Sequence, residues 1–134
     1  SDLSNIATYA IVDNAQYRTL KHFLPGPYCF ILQATRDVPR FLQTKQKTVG
    51  IRVPKHPVPQ AIVEALGRPL VSTTACELDG DPIADPWTID ATFPTLDLIL
   101  EADVCGIVPT TVVDLSQGEL EILREGAGPV DDLV

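Results

Sequence analysis

The chain of 134 residues contains no methionine, two histidines and three cysteines. With no initiator methionine, the expectation is a sequence that starts inside a longer gene product. Cys29, Cys76 and Cys105 are odd in number and far apart, which argues against a disulfide framework and for reduced thiols in a cytoplasmic setting. None of the three has a base beside it in sequence, so covalent nucleophilic catalysis is thinly supported and no catalytic residue is assigned. His22 and His56 are too far apart for a helical metal pair, and no cysteine pair has zinc-site spacing, so no metal site is expected. Glu77, Asp79, Asp81 and Asp85 lack the loop length and glycine placement of a calcium loop and read as a solvated turn. Neither GxxxxGK nor GxGxxG is present, which removes the familiar phosphate-cradling loops. Long apolar runs are missing too. The greasiest stretch, Leu96–Val108, is interrupted by Asp97, Glu101 and Asp103, and no signal peptide is visible, so no membrane association is expected.

What is present is one domain's worth of chain with an uneven charge. Residues 1–68 hold nine Lys/Arg against four Asp/Glu, a net +5. Residues 69–134 hold Arg124 alone against fourteen Asp/Glu, a net −13, for a total of −8. Overall acidity disfavours wide nonspecific nucleic-acid binding but permits a local basic patch in the first half.

The stretch Thr48–Pro57, TVGIRVPKHP, organises the rest. Its alternation predicts a strand with Val49, Ile51 and Val53 on a core face and Thr48, Gly50 and Arg52 on the other. A glycine weakens a strand and often marks close approach of a ligand or another backbone. An arginine beside such a gap suits a phosphate or carboxylate, which its planar fork grips with two bonds. A surface arginine next to a bulge glycine is the competing explanation.

Elsewhere, Asp2 or Ser4 caps a short helix through Tyr9. Asp13 or Asn14 caps a second, with Tyr17, Leu20 and Leu24 inward, which Pro25-Gly26-Pro27 ends. Tyr28–Ala34 reads as a central strand buried on both faces, and Pro39 starts a short helix with Phe41 and Leu42 inward. Pro57–Leu66 reads as a helix with Ile62 and Leu66 packed inward, stopped by Gly67. Leu70–Ala75 reads as a strand carrying Ser72, Thr73 and Thr74. Asp85-Pro86 starts a helix whose Trp87 plugs the core. Leu96–Leu100, Thr110–Leu115 and Leu120–Arg124 read as strands, the last two forming a hairpin around Gly118, and Gly126–Pro129 opens a poorly ordered tail. Strands interleaved with helices imply an α/β domain with a mixed sheet. Arg52, Ser72, Thr74, Thr110, Thr111 and Arg124 then fall near strand ends, where open α/β sheets hold anions or nucleotides by positioning and charge. Hydroxyls satisfying sheet-edge backbone would give the same pattern.

Five motifs in order, Pro25-Gly26-Pro27 with Tyr28–Leu32, TVGIRVPKHP, PLVSTTA, PTTVVDL and LREGAG, resemble the YrdC-like family. The opening DLSNIATYAIVDN is closest to its YciO branch, and the resemblance spans essentially all 134 residues. It implies the family's mixed, twisted open sheet with flanking helices, here the C-terminal portion of that domain. It further implies synthesis of threonylcarbamoyl-AMP from threonine, bicarbonate and ATP (with Mg), for threonylcarbamoyladenosine in tRNA, with no tightly bound cofactor. By position, Arg52 is similar to the arginine at the nucleotide and amino-acid site, and Arg124 to a late arginine near the phosphates. Thr73 and Thr74 fall at the Thr-Ser of a Thr-Ser-Ala-Asn segment, and Thr110 and Thr111 at a Ser-Thr pair. Cys76 stands in place of the asparagine, and its thiol cannot supply the donors and carbonyl of an amide. Cys29 stands where many members have threonine. The family's Lys-Arg…Lys segment would lie before Ser1. A binding module without turnover is the alternative, holding a nucleotide, tRNA or double-stranded RNA through Lys21, Arg40, Lys45, Lys47 and Lys55. A third possibility is a carbamoyl-handling domain within a larger maturation protein.

Overall fold

The structure, a computed structural model, describes residues 5–102 and 108–133. The expected caps Asp2 and Ser4, and Cys105, lie outside the described residues. Helix α1 (Ile6–Tyr9) runs into the two-residue strand β1 (Ala10–Ile11), followed by α2 (Asn14–Phe23). Asp13 starts α2 with a full capping box: its carboxylate accepts from Gln16 N at 2.7 Å, and Gln16 Oε1 accepts from Asp13 N at 3.0 Å. Gln16 also donates from Nε2 to Leu115 O, so the cap that starts the helix ties it to the sheet.

Strand β2 (Tyr28–Ala34) is the hub. β3 (Thr48–Arg52) runs antiparallel along one edge. Gln33 pairs with both Thr48 and Ile11, and Cys29 with both Arg52 and Val112, so β1 and β4 (Thr111–Asp114) must share the opposite edge. β4 is parallel to β2 and pairs antiparallel with β5 (Glu121–Arg124) through the turn at Gly118, where φ is 83°. The result is an open, mixed five-stranded sheet with flanking helices, as the alternation of elements predicted.

One face of this sheet makes the core. Tyr28, Phe30 and Leu32 of β2 and Val113 of β4 are buried there against Leu20 and Leu24 of the α2 end, with Val49, Ile51, Val53 and Ile122 packed alongside. The predicted alternation of β3 is therefore observed. β2 is not buried on both faces: Cys29 and Ile31 are half-buried and Gln33 is exposed, because no helix covers their side as completely. Tyr17 is also exposed, since α2 turns only the Leu20 side to the sheet.

Beyond β3 the expectations fare less well. α3 (Pro57–Leu66) forms as read, with His56 Nδ1 accepting from Val58 N and Gly67 closing the helix at φ 74°. Asp85 caps α4 (Pro86–Thr92), its carboxylate accepting from Thr88 N and Oγ1 at 2.7 Å each. Those hydrogen bonds hold its pKa below the usual aspartate value. Yet neither helix buries a residue, Leu66 is exposed, and Trp87 is 66% exposed rather than a core plug. Phe41, in a short 3₁₀ turn (Arg40–Leu42), is exposed as well. The segments 70–75 and 96–100 are not strands: neither joins the sheet, and apolar β-formers without a partner edge stay irregular. The end of the chain is also unlike the expected loose tail. Tyr28 donates from its phenol to Pro129 O at 2.7 Å, Val130 packs on the core, and Leu133 is buried. Among the described residues no helix is long and apolar enough to cross a membrane.

Candidate functional site

Register places the two arginines. Arg52 pairs with Cys29, Cys29 with Val112, and Val112 with Arg124, giving one row across four strands. Directly paired residues share a face, so Arg52, Cys29 and Arg124 all lie on the face away from the core. Three steps of about 4.8 Å separate the ends of the row, so the two Cα atoms stand roughly 14 Å apart.

Arg124 reaches that face because of an irregularity. Asp114 pairs with Glu121 and Val113 with Ile122, but Val112 pairs with Arg124, so Leu123 is the extra residue of a one-residue register shift. Strict alternation from Ile122 would have sent Arg124 to the core side; a bulge re-aims the side chain that follows it. The guanidinium is then braced by Thr110, donating from Nε to Thr110 O at 3.0 Å and from Nη2 to Thr110 Oγ1 at 3.2 Å. Two of the five N–H donors of an arginine are used in this way.

Between the guanidiniums sits Cys29. Burial pushes its thiol pKa up, while Arg52 and Arg124 both pull it down, and the net shift is upward. The thiol is therefore held protonated at neutral pH, which disfavours a nucleophilic role. Gly50 packs closely beside it: a Cβ there would lie 3.1 Å from Cys29 Sγ.

A cavity of about 690 Å³ opens along the free side of β3 toward α3. Arg52, Ser72 and Thr73 line it, together with Gln60, Glu64 and Arg68. Thr73 thus lines the same cavity as Arg52, although its segment is an exposed loop rather than a strand, whereas the exposed Thr74 does not line it. Thr111 is on the other face, fully buried, with its hydroxyl donating to Gly128 O at 2.6 Å and accepting from Gly126 N at 3.0 Å. It has no exposed surface to offer a ligand. Of the six predicted site residues, Arg52 and Thr73 line this cavity and Arg124 is hydrogen-bonded to Thr110, while Thr74 and Thr111 join neither group.

Gln60, Glu64 and Arg68 were missed by reasoning from the sequence. Gln60, Glu64 and Gly67 share a helical face at i, i+4 and i+7, with Arg68 directly after the helix cap, and that periodicity was the available signal. Among the described residues no three His, Cys, Asp or Glu side chains come together as a metal site.

The Sua5/YciO/YrdC family model, described as "Telomere recombination", matches residues 1–126. The chain belongs to this family. It is 45% identical over 133 residues to YciO of Escherichia coli strain K12, across 96% of this chain and 64% of that protein. The crystal structure of E. coli YciO superposes with a TM-score of 0.93 at 41% identity, over 99% of this chain and 66% of that one. A threonylcarbamoyl-AMP synthase of Xanthomonas campestris pv. campestris strain B100 is 36% identical over 108 residues, covering 75% of this chain and 54% of the synthase. Pyrococcal (P. abyssi) Sua5, solved with L-threonine, shares the fold at a TM-score of 0.90 and 23% identity, over 99% of this chain and 40% of that one. The chain thus spans a little under two thirds of the length of the YciO sequences it matches.

Proposed function

We propose that this chain contributes the ligand face of a threonylcarbamoyl-AMP synthase-type domain, binding threonine and ATP for an adenylation step. The observation that carries the reading is the row Arg52–Cys29–Val112–Arg124, which sets two guanidiniums on one open sheet face. Cations spaced this widely suit a pair of substrates with separate anionic groups better than a single small anion. In this reading Arg52 takes the threonine carboxylate, with Thr73 donating a hydrogen bond beside it. Arg124, steadied by Thr110, takes the phosphates of ATP, supplied as its Mg complex.

The reaction asks for placement rather than for a covalent nucleophile. The threonine nitrogen attacks bicarbonate carbon with loss of water, giving a carbamate. A carbamate oxygen then attacks the α-phosphorus of ATP, and the bond to pyrophosphate breaks. Negative charge grows on the transferred and departing phosphate oxygens, which is where a fixed guanidinium contributes most. The product would serve threonylcarbamoyladenosine formation in tRNA, in the cytoplasm.

Calorimetric titration of the chain with Mg–ATP, with and without threonine, tests the reading. Saturable binding of both is expected, with Arg52→Ala weakening threonine by about tenfold or more, the usual cost of losing a charged hydrogen-bond partner. Absence of ATP binding, or an Arg52→Ala variant that binds threonine like the parent, overturns it.

A further inference from the structure

We propose that Thr111 is a positioning residue: from the core side of the sheet it clasps the chain returning from β5, and so holds the Arg124 guanidinium in place on the open face. The inference rests on reading Arg124 as an anion-binding group, and it concerns how that group is held.

Three hydrogen bonds make the clasp. Gly126 N donates to Thr111 Oγ1 at 3.0 Å, Thr111 Oγ1 donates to Gly128 O at 2.6 Å, and Ala127 N donates to Pro109 O at 2.8 Å. One hydroxyl thus satisfies a donor and an acceptor two residues apart on the returning segment. Fit leaves no slack. A Cβ on Gly126 would run into Pro109 O and stand 2.6 Å from Thr110 O, and one on Gly128 would stand 2.5 Å from the Tyr28 ring. Further along, the Tyr28 phenol donates to Pro129 O at 2.7 Å. Burial first, and the nearby Asp132 carboxylate second, push the Tyr28 pKa up, so the phenol keeps its proton and remains a donor.

The segment clasped in this way begins two residues after Arg124. Just before it lies the register shift at Leu123 that turns Arg124 outward. A bulge loosens the ladder locally, so the next strong restraint decides where the side chain points. That restraint is the clasp: it presses residues 126–128 onto 109–111, which brings Thr110 O and Oγ1 within reach of Arg124 Nε and Nη2. Replacing Thr111 by valine preserves volume and strand preference but leaves the Gly126 N–H and Gly128 carbonyl without their partner.

The test compares the parent chain with Thr111→Val, Thr111→Ser, Tyr28→Phe and, as a control destabilised elsewhere, Leu20→Ala. Inorganic pyrophosphate and threonine are titrated calorimetrically, and hydrogen exchange at Arg124 Nε is followed by NMR. Thr111→Val is expected to raise the pyrophosphate Kd by about tenfold with threonine affinity unchanged, and to speed Nε–H exchange. Thr111→Ser restores both, Tyr28→Phe moves both the same way by less, and the folded fraction of Leu20→Ala leaves both as in the parent. The proposal is overturned if Thr111→Val and Tyr28→Phe match the parent, if serine fails to rescue, or if Leu20→Ala reproduces the loss. A parent chain that binds no pyrophosphate defeats the anion-site reading of Arg124, and the Nε–H exchange series then decides the clasp alone. Should Thr111→Val not fold, Tyr28→Phe and Thr111→Ser carry the comparison.

Discussion

The sheet and the stretch from α3 to residue 102 obey the same local rules and end in opposite states. Both have well-made helices: a capping box at Asp13, side-chain caps at His56 and Asp85, and a left-handed glycine stop at Gly67. Around β2, however, the core-facing apolar side chains meet partners, and Leu20, Phe30, Leu32 and Val113 have no exposed surface. Between Leu66 and Leu100, Leu70, Val71, Leu78, Trp87, Leu96 and Leu98 are exposed, and α3 and α4 bury nothing. The lesson is that caps and periodicity create an element, while burial requires a second surface against which to lay it.

The sharpest way to break this contrast is at its tightest point. Phe30→Ala is expected to cost about 3–5 kcal/mol, a large share of a typical total of about 5–15 kcal/mol, because β2 pairs with β1, β3 and β4 and cannot shift to fill the hole. A smaller loss, read from the urea midpoint at unchanged slope, would mean the core is looser than its burial implies. Next in size is Gly126→Ala. With Pro109 and Thr110 carbonyls in the way, the added methyl is expected to cost about 1–3 kcal/mol, and a variant as stable as the parent would show that the segment after β5 yields easily. The smallest effect is expected across the divide. Trp87→Ala, at a side chain 66% exposed, should change stability by no more than about 0.5 kcal/mol in the chain by itself. A drop as large as that for Phe30 would erase the distinction between the two regions.

Reading the residues in order recovered the parts that depend on local chemistry. The alternation in TVGIRVP was correct residue by residue, with Val49, Ile51 and Val53 packed on the core and Gly50 and Arg52 outside. The same reasoning overcounted strands at 70–75 and 96–100, since apolar β-formers express a preference that only a neighbouring strand can satisfy. It also mistook Gly126–Pro129 for a loose end. Glycines there read as flexibility, whereas they are what lets the backbone press against Thr110 and Tyr28.

Sequence by itself determined the mixed α/β class, the capped starts of α2 and α4, the glycine stop of α3, the hairpin around Gly118, and the presence of two arginines and two threonine pairs. Those follow from dihedral preference, side-chain periodicity and capping, all of which act within a few residues. Only the tertiary structure decided which threonine serves which purpose. Adjacent strand residues face opposite sides of a sheet, so Thr110 braces Arg124 outside while Thr111 is locked inside. A single extra residue at Leu123 then set the direction of Arg124, because a sheet's period of two turns any one-residue shift into a change of face.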